Sequence, residues 1–226
     1  MRLLLFCLLL ILCTSSAEAQ LYVKVGYAGA GLNHAPLDAL LQRYNQDRPY
    51  LDREFSEINI LNGMDGGILY RVGPVGLEGG VELAYAQRRS DGIPTGTNTD
   101  LEERLFLNST SYYLGLNVGT DLIYAGASLV RTDLKFKFSD SNDDDRRTIL
   151  DAPNFQSLRV YLSIEPASDS GFRIALRPFL QMPLGDLNLR PLGEFFEPDF
   201  AATATDEEYT DGWQLFGLRI LFYNGR

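Results

Sequence analysis

Cysteine is nearly absent from this chain. Its two copies, Cys7 and Cys13, both fall within the first 13 residues. Any domain downstream therefore holds together without disulfides, which excludes a small disulfide-stapled secreted module and thiol chemistry. Histidine is equally scarce, with His34 the single copy. No basic patch stands out, and the formal net charge is −10, so phosphate neutralisation gives no handle on nucleic acid. Beyond the first residues no segment approaches the ~20 consecutive apolar residues of a transmembrane helix.

The N-terminus has the form of an export signal. Met1-Arg2 is followed by the apolar run Leu3 to Leu12, a short polar stretch and Ala17-Glu18-Ala19. One basic residue, a short apolar core and an A-x-A site predict a cleaved signal peptide over residues 1–19, with the mature domain spanning 20–226. The alternative is lipidation of Cys13, but the residues before it are Leu10-Ile11-Leu12, a poor fit to the small residue such signals place there. The mature length suits one all-β domain. With 12 Tyr, 13 Phe and 21 Gly, the composition favours aromatic strands, tight turns and small inward positions.

The stretch LRVYLSIEPASDSGFRIALRPFL, residues 158–180, alternates strictly about a polar turn. Leu158, Val160, Leu162 and Ile164 share a face that Phe172, Ile174, Leu176, Pro178 and Leu180 continue, while Arg159, Glu165, Arg173 and Arg177 lie opposite. That is a β-hairpin, but alternation alone does not say which face meets water. In a soluble sandwich the apolar face is the core. In a membrane barrel it faces lipid.

Strand-like segments recur at about 21–31, 58–71, 75–89, 109–119, 122–138, 156–166, 171–186 and 212–223. Short connections alternate with the long polar segments 32–57, 90–108, 139–155 and 187–211. This predicts an all-β fold: an eight-stranded antiparallel up-and-down transmembrane barrel with four long loops at one end. Faces such as Leu77, Val81, Leu83, Tyr85 and Phe216, Leu218, Ile220, Phe222 are free of charge. Opposite faces carry Glu78, Glu82, Arg131, Asp133, Lys135, Arg159, Glu165, Arg173, Arg177 and Arg219, the predicted interior charge network. Tyr22, Tyr27, Tyr70, Tyr85, Phe136, Phe138, Phe172, Phe222 and Tyr223 lie near strand ends, as interfacial girdles require. A soluble exported barrel of lipocalin type shares the alternation and stays open as an alternative.

The stretches YVKVGYAGAGLN, RYNQDRPYL and PFLQMPLGDL resemble the outer-membrane β-barrel domain family of Gram-negative bacteria. The resemblance covers the whole mature chain. It implies an eight-stranded barrel in the outer membrane, termini in the periplasm, outer-membrane lipid as surroundings, and the outer-membrane assembly machinery as partner. Chains of this kind often end on an aromatic residue; here Phe222 and Tyr223 sit just short of the end.

Further candidates each have a plain reading beside the chemical one. Paired charges inside a narrow barrel make a salt-bridge plug or, less economically, a gated channel. His34 would need a serine, perhaps Ser90, to act as in lipid A-modifying barrels. Asp140, Asn142 and Asp144 follow the D-x-N-x-D order, but Asp145 stands where the turn wants Gly, Asp151 where it wants Glu, and Arg146 and Arg147 repel a cation, so the segment reads as a solvated loop tip and no metal or cofactor is expected. Leu37, Leu40, Leu41 and Tyr44 predict a short amphipathic helix in the first loop, lying on the rim, capping the lumen or presenting a binding face. Residues 194–211 form an acidic loop with interleaved aromatics, suited to an envelope or surface protein partner. The expectation is a non-enzymatic anchor whose loops make contacts or support envelope integrity. A small porin or secretion component, a lipid A-modifying enzyme and a soluble carrier are the alternatives.

Overall fold

A computed structural model describes residues 19–120, 122–141, 143–166 and 172–224. Residues 1–18, with both cysteines, Asn142 of the acidic loop and the hairpin turn at 167–171 fall outside the described residues. Eight strands make the barrel: β1 (Ala19–Asn33), β2 (Ile60–Val72), β3 (Val75–Gly92), β4 (Leu101–Gly119), β5 (Ile123–Asp140), β6 (Asp143–Ile164), β7 (Phe172–Pro183) and β8 (Gln214–Asn224). Each pairs antiparallel with its successor, and β8 returns to β1 with Lys24 opposite Tyr223 and Leu32 opposite Leu215, which closes the ring and leaves no edge within it.

At one end the connections are tight. Val72 pairs with Val75 across Gly73-Pro74, and Gly73 has φ 57°, a value glycine adopts without steric cost. The opposite end carries the long segments. Two of them, 90–108 and 139–155, are largely strand: Leu101 pairs with Gly92, and Lys135 with Asp151. Strands β3 to β6 thus run 18–22 residues, where ~9–11 suffice to cross a bilayer. Polar residues read there as loop because in water a ladder accepts polar side chains on its outer face.

The outside of the lower barrel is apolar. Leu21, Val23, Val25, Leu77, Leu83, Leu114, Leu129, Leu162, Ile174 and Phe222 all point outward and exposed, Leu114 and Leu129 at 63 %. A continuous exposed belt of this kind is untenable in water and suited to lipid. The opening hairpin is thereby oriented: Leu162, Ile164 and Leu176 face out, and Arg159 and Arg177 face in. Of the expected girdle, Tyr27, Tyr70, Tyr85, Phe172 and Phe222 do lie on the outer surface. Tyr22, Phe136, Phe138 and Tyr223 are buried inside instead, because their strand parity is that of the lumen.

Above the belt the molecule has the opposite organisation, with an apolar interior. Helix α1 (Ala35–Gln46) lays Leu37, Leu40, Leu41 and Tyr44 into a core with Leu105, Leu107, Leu134, Phe136, Phe196 and Trp213. The last loop adds α2 (Arg190–Phe196) and α3 (Pro198–Ala201). Arg43 joins the two loops, donating to Glu197 at 2.9 Å while its guanidinium lies over the Phe200 ring. Of the three places open to the first-loop helix, it takes the lumen mouth.

Candidate functional site

The lumen at belt height is filled by charge. Alternation on β1, β2, β3, β6, β7 and β8 aims Lys24, Asp65, Glu78, Glu82, Arg159, Arg177 and Arg219 at one another, all buried. Glu78 accepts from Lys24 (2.8 Å), Arg177 (2.8 and 3.0 Å) and the Tyr161 hydroxyl (2.7 Å). Glu82 pairs with Arg159 at 3.2 Å and with Arg219, which also reaches Asp65 at 3.2 Å. Asp65 accepts from Tyr113 at 2.8 Å, and Gln181 accepts two bonds from Arg159. Four cations thus meet three carboxylates. The imbalance is eased by ring faces: Lys24 and Arg219 lie 4.6 and 5.2 Å from the centroid of Tyr113, and Arg177 lies 4.3 Å from that of Tyr161.

Small residues create the space for these rings. A Cβ at Gly80 would overlap the Tyr113 phenol, and one at Gly126 the Tyr161 phenol. A second, smaller group lies near the tight turns. Arg71 forks onto Glu165 at 2.6 and 2.7 Å and stacks over Tyr124 at 3.8 Å.

Of the ten predicted interior residues, the structure brings Glu78, Glu82, Arg159, Arg177 and Arg219 into the central group and puts Glu165 in the lower one. Arg173 is half-buried beside the Tyr22 ring. Arg131, Asp133 and Lys135 are a correction: they stand on the outer surface, Arg131 and Lys135 exposed, with Lys135 paired to Asp151 at 2.9 Å. They share strand parity with Ile123 and Leu129, which face outward. The strand outlasts the belt, so its outer face turns from apolar to charged while Thr132, Leu134 and Phe136 stay inside. Lys24, Asp65, Arg71 and Tyr113 went unpredicted. Lys24 was legible, since Leu21, Val23, Val25 and Tyr27 mark the outer face of β1; Asp65 was hidden in a glycine-rich strand that alternates poorly.

At the mouth, His34 is buried. Its Nε2 bonds the Ile58 carbonyl oxygen at 2.8 Å, Nδ1 lies 3.3 Å from Asp38, and Trp213 stacks at 6.0 Å. The Ser90 hydroxyl donates to Glu103, so it is engaged elsewhere. No group of three or more metal-ligating side chains is found among the described residues.

Burial pushes the carboxyls of Asp38, Asp211 and Glu197 above the usual range, His34 opposing this at Asp38 and Arg43 at Glu197. Each holds its proton more tightly in the folded cap than in an unfolded loop. Cap stability is therefore fully present below the ordinary carboxylate range and declines as pH rises through the raised values. Proteolysis of the loops, normalised to an unfolded substrate, should be slower at about pH 4 than at about pH 7, and Asp211→Asn should reduce the difference. Equal cleavage rates at both pH values would contradict this.

Comparison with known proteins finds a matching family model and similar solved structures. The family model described as outer membrane protein beta-barrel domain matches residues 5–152, more than half of the chain. Among solved structures, the chain is similar to Ail, the attachment invasion locus protein of Yersinia pestis, at 12% identity and TM-score 0.44, covering 91% of this chain and 97% of that one. It is also similar to Neisserial surface protein A, at 10% identity and TM-score 0.44, covering 92% and 99% respectively. No curated protein matches it significantly in sequence. With its closed ring of eight strands, apolar belt and polar lumen, the chain belongs to the outer membrane protein β-barrel domain family and resides in the outer membrane of a Gram-negative cell.

Proposed function

We propose that this protein is a non-enzymatic, non-conducting anchor, exported by its leader, that carries a folded cap on the outer face of the membrane. The lumen is the observation that carries the reading. Paired side chains fill it at belt height, and an apolar core with α1 seals it above. An ion entering would have to displace Glu78 or Glu82 from their guanidinium partners and then cross that apolar layer, where a lone charge is strongly disfavoured. The interior network acts as a plug that fixes the barrel. The acidic outer loops, with Asp199, Asp206, Glu207 and Glu208 exposed, provide the surface for an envelope or surface protein partner.

Reconstitution in planar lipid bilayers tests the reading. The purified protein should insert without discrete conductance steps, whereas reproducible single-channel openings would establish the porin alternative. The geometry around His34 supports the non-enzymatic reading as well. Its Nε2 bonds a backbone carbonyl, its Nδ1 faces Asp38 at 3.3 Å, and no serine hydroxyl among the described residues is bonded to it.

A further inference from the structure

Arg131 is exposed and makes no hydrogen bond, ion pair or ring contact among the described residues. It projects outward at the level where the apolar belt ends. Across the sheet it stands between Tyr112 of β4 and Gln156 of β6; one row lower, Leu129 stands between Leu114 and Leu158. Tyr112, Leu114, Leu129, Arg131, Gln156 and Leu184 border an open groove of about 440 Å³ on the outer wall. Leu184 is held there because its backbone N–H donates to the Gln156 carbonyl at 2.9 Å.

Two other cations of the outer wall have carboxylate partners. Lys135 pairs with Asp151, and Arg89 with Asp91 and Glu102. The one carboxylate beside Arg131 on its own strand face, Asp133, accepts the Asn154 backbone N–H at 2.9 Å. Arg131 is thus a free guanidinium placed over apolar side chains at a lipid boundary. There an unpaired cation must either turn toward water or gain an anion.

We propose that this groove is a binding site for a phosphorylated lipid of the outer leaflet, of the lipopolysaccharide class. Arg131 grips the headgroup phosphate, and an acyl chain lies over Leu114 and Leu129. The assignment follows from charge and shape together. A guanidinium offers a planar fork of donors that matches phosphate oxygens, and the leucines below sit where a chain descending from that phosphate must run. Tyr112 adds an amphipathic ring at the same level, as interfacial tyrosines do.

The test uses full-length barrel purified from outer membranes, delipidated in detergent and titrated with phosphorylated lipid A or its dephosphorylated form. Binding is read by native mass spectrometry. Wild-type protein should retain the phosphorylated form about tenfold better, the scale of one charge-assisted hydrogen-bonded contact at an exposed site. Arg131→Gln should remove that preference, and Arg89→Gln, which alters an already paired cation, should keep it. A heat-dependent shift on gels verifies that each variant is folded. Equal retention of both lipids by wild type, or an unchanged preference in Arg131→Gln, would overturn the proposal. So would full competition by inorganic phosphate, because the site would then recognise the free anion and not the lipid.

Discussion

Glu78→Ala should cost the barrel about 3–5 kcal/mol of stability, the penalty for breaking a buried ion pair by removing one partner. Glu78 is 1 % exposed and accepts from Lys24, Arg177 and Tyr161 together. Its loss strands two cations inside a belt surrounded by lipid, where water cannot readily replace the carboxylate. Urea titration in phosphatidylcholine vesicles, with the folded fraction read from unheated gels, should show a midpoint well below that of wild type. The triple substitution Lys24→Met, Glu78→Met, Arg177→Met provides the decisive contrast. It deletes the charges together, and such replacements are often neutral or stabilising by about 1–4 kcal/mol. If Glu78→Ala were as stable as wild type, the lumen would have to be hydrated well enough to solvate lone charges, and the plug reading would fail.

The second large effect belongs to the cap. Leu40 is fully buried on α1, and Leu40→Asp replaces it with a carboxylate that has no designed partner. Truncating such a leucine alone costs about 2–5 kcal/mol, and burying a charge adds to it. Because the cap's apolar core lies above the charge-filled lumen, the damage should stay local. Protease added to intact cells should cut within 34–59 and 184–213, while the barrel still shows its heat-dependent gel shift. Loops that remain resistant would mean that α1 does not hold the cap. Loss of the gel shift would mean that cap and barrel unfold as one unit.

These predictions concern two interiors of opposite polarity in one chain, and much of the error in reading the sequence lies at their boundary. In β5, Ile123, Leu129, Arg131 and Lys135 share one outward face, yet the sequence reading puts Arg131 and Lys135 inside the lumen. Charge on a barrel strand marks the lumen side where lipid covers the other face. That holds only for as long as the strand is surrounded by lipid. Beyond Leu129 the outside is water, so charge returns to the outer face, and Phe136 and Phe138 become core.

What the sequence determined by itself is everything that period two and turn chemistry encode locally: eight strands, antiparallel neighbours, short turns at one end, and inward parity for Glu78, Glu82, Arg159, Arg177 and Arg219. The helix of the first loop was equally legible from the spacing of Leu37, Leu40, Leu41 and Tyr44. Only the tertiary structure decided how far each strand continues past the bilayer, which carboxylate meets which guanidinium, and that α1 closes the mouth. Each of those depends on how strands distant in sequence stand beside one another once the ring is closed. Glu78 and Arg177 lie 99 residues apart and meet only because β3 and β7 face each other across a lumen narrow enough for side chains to span.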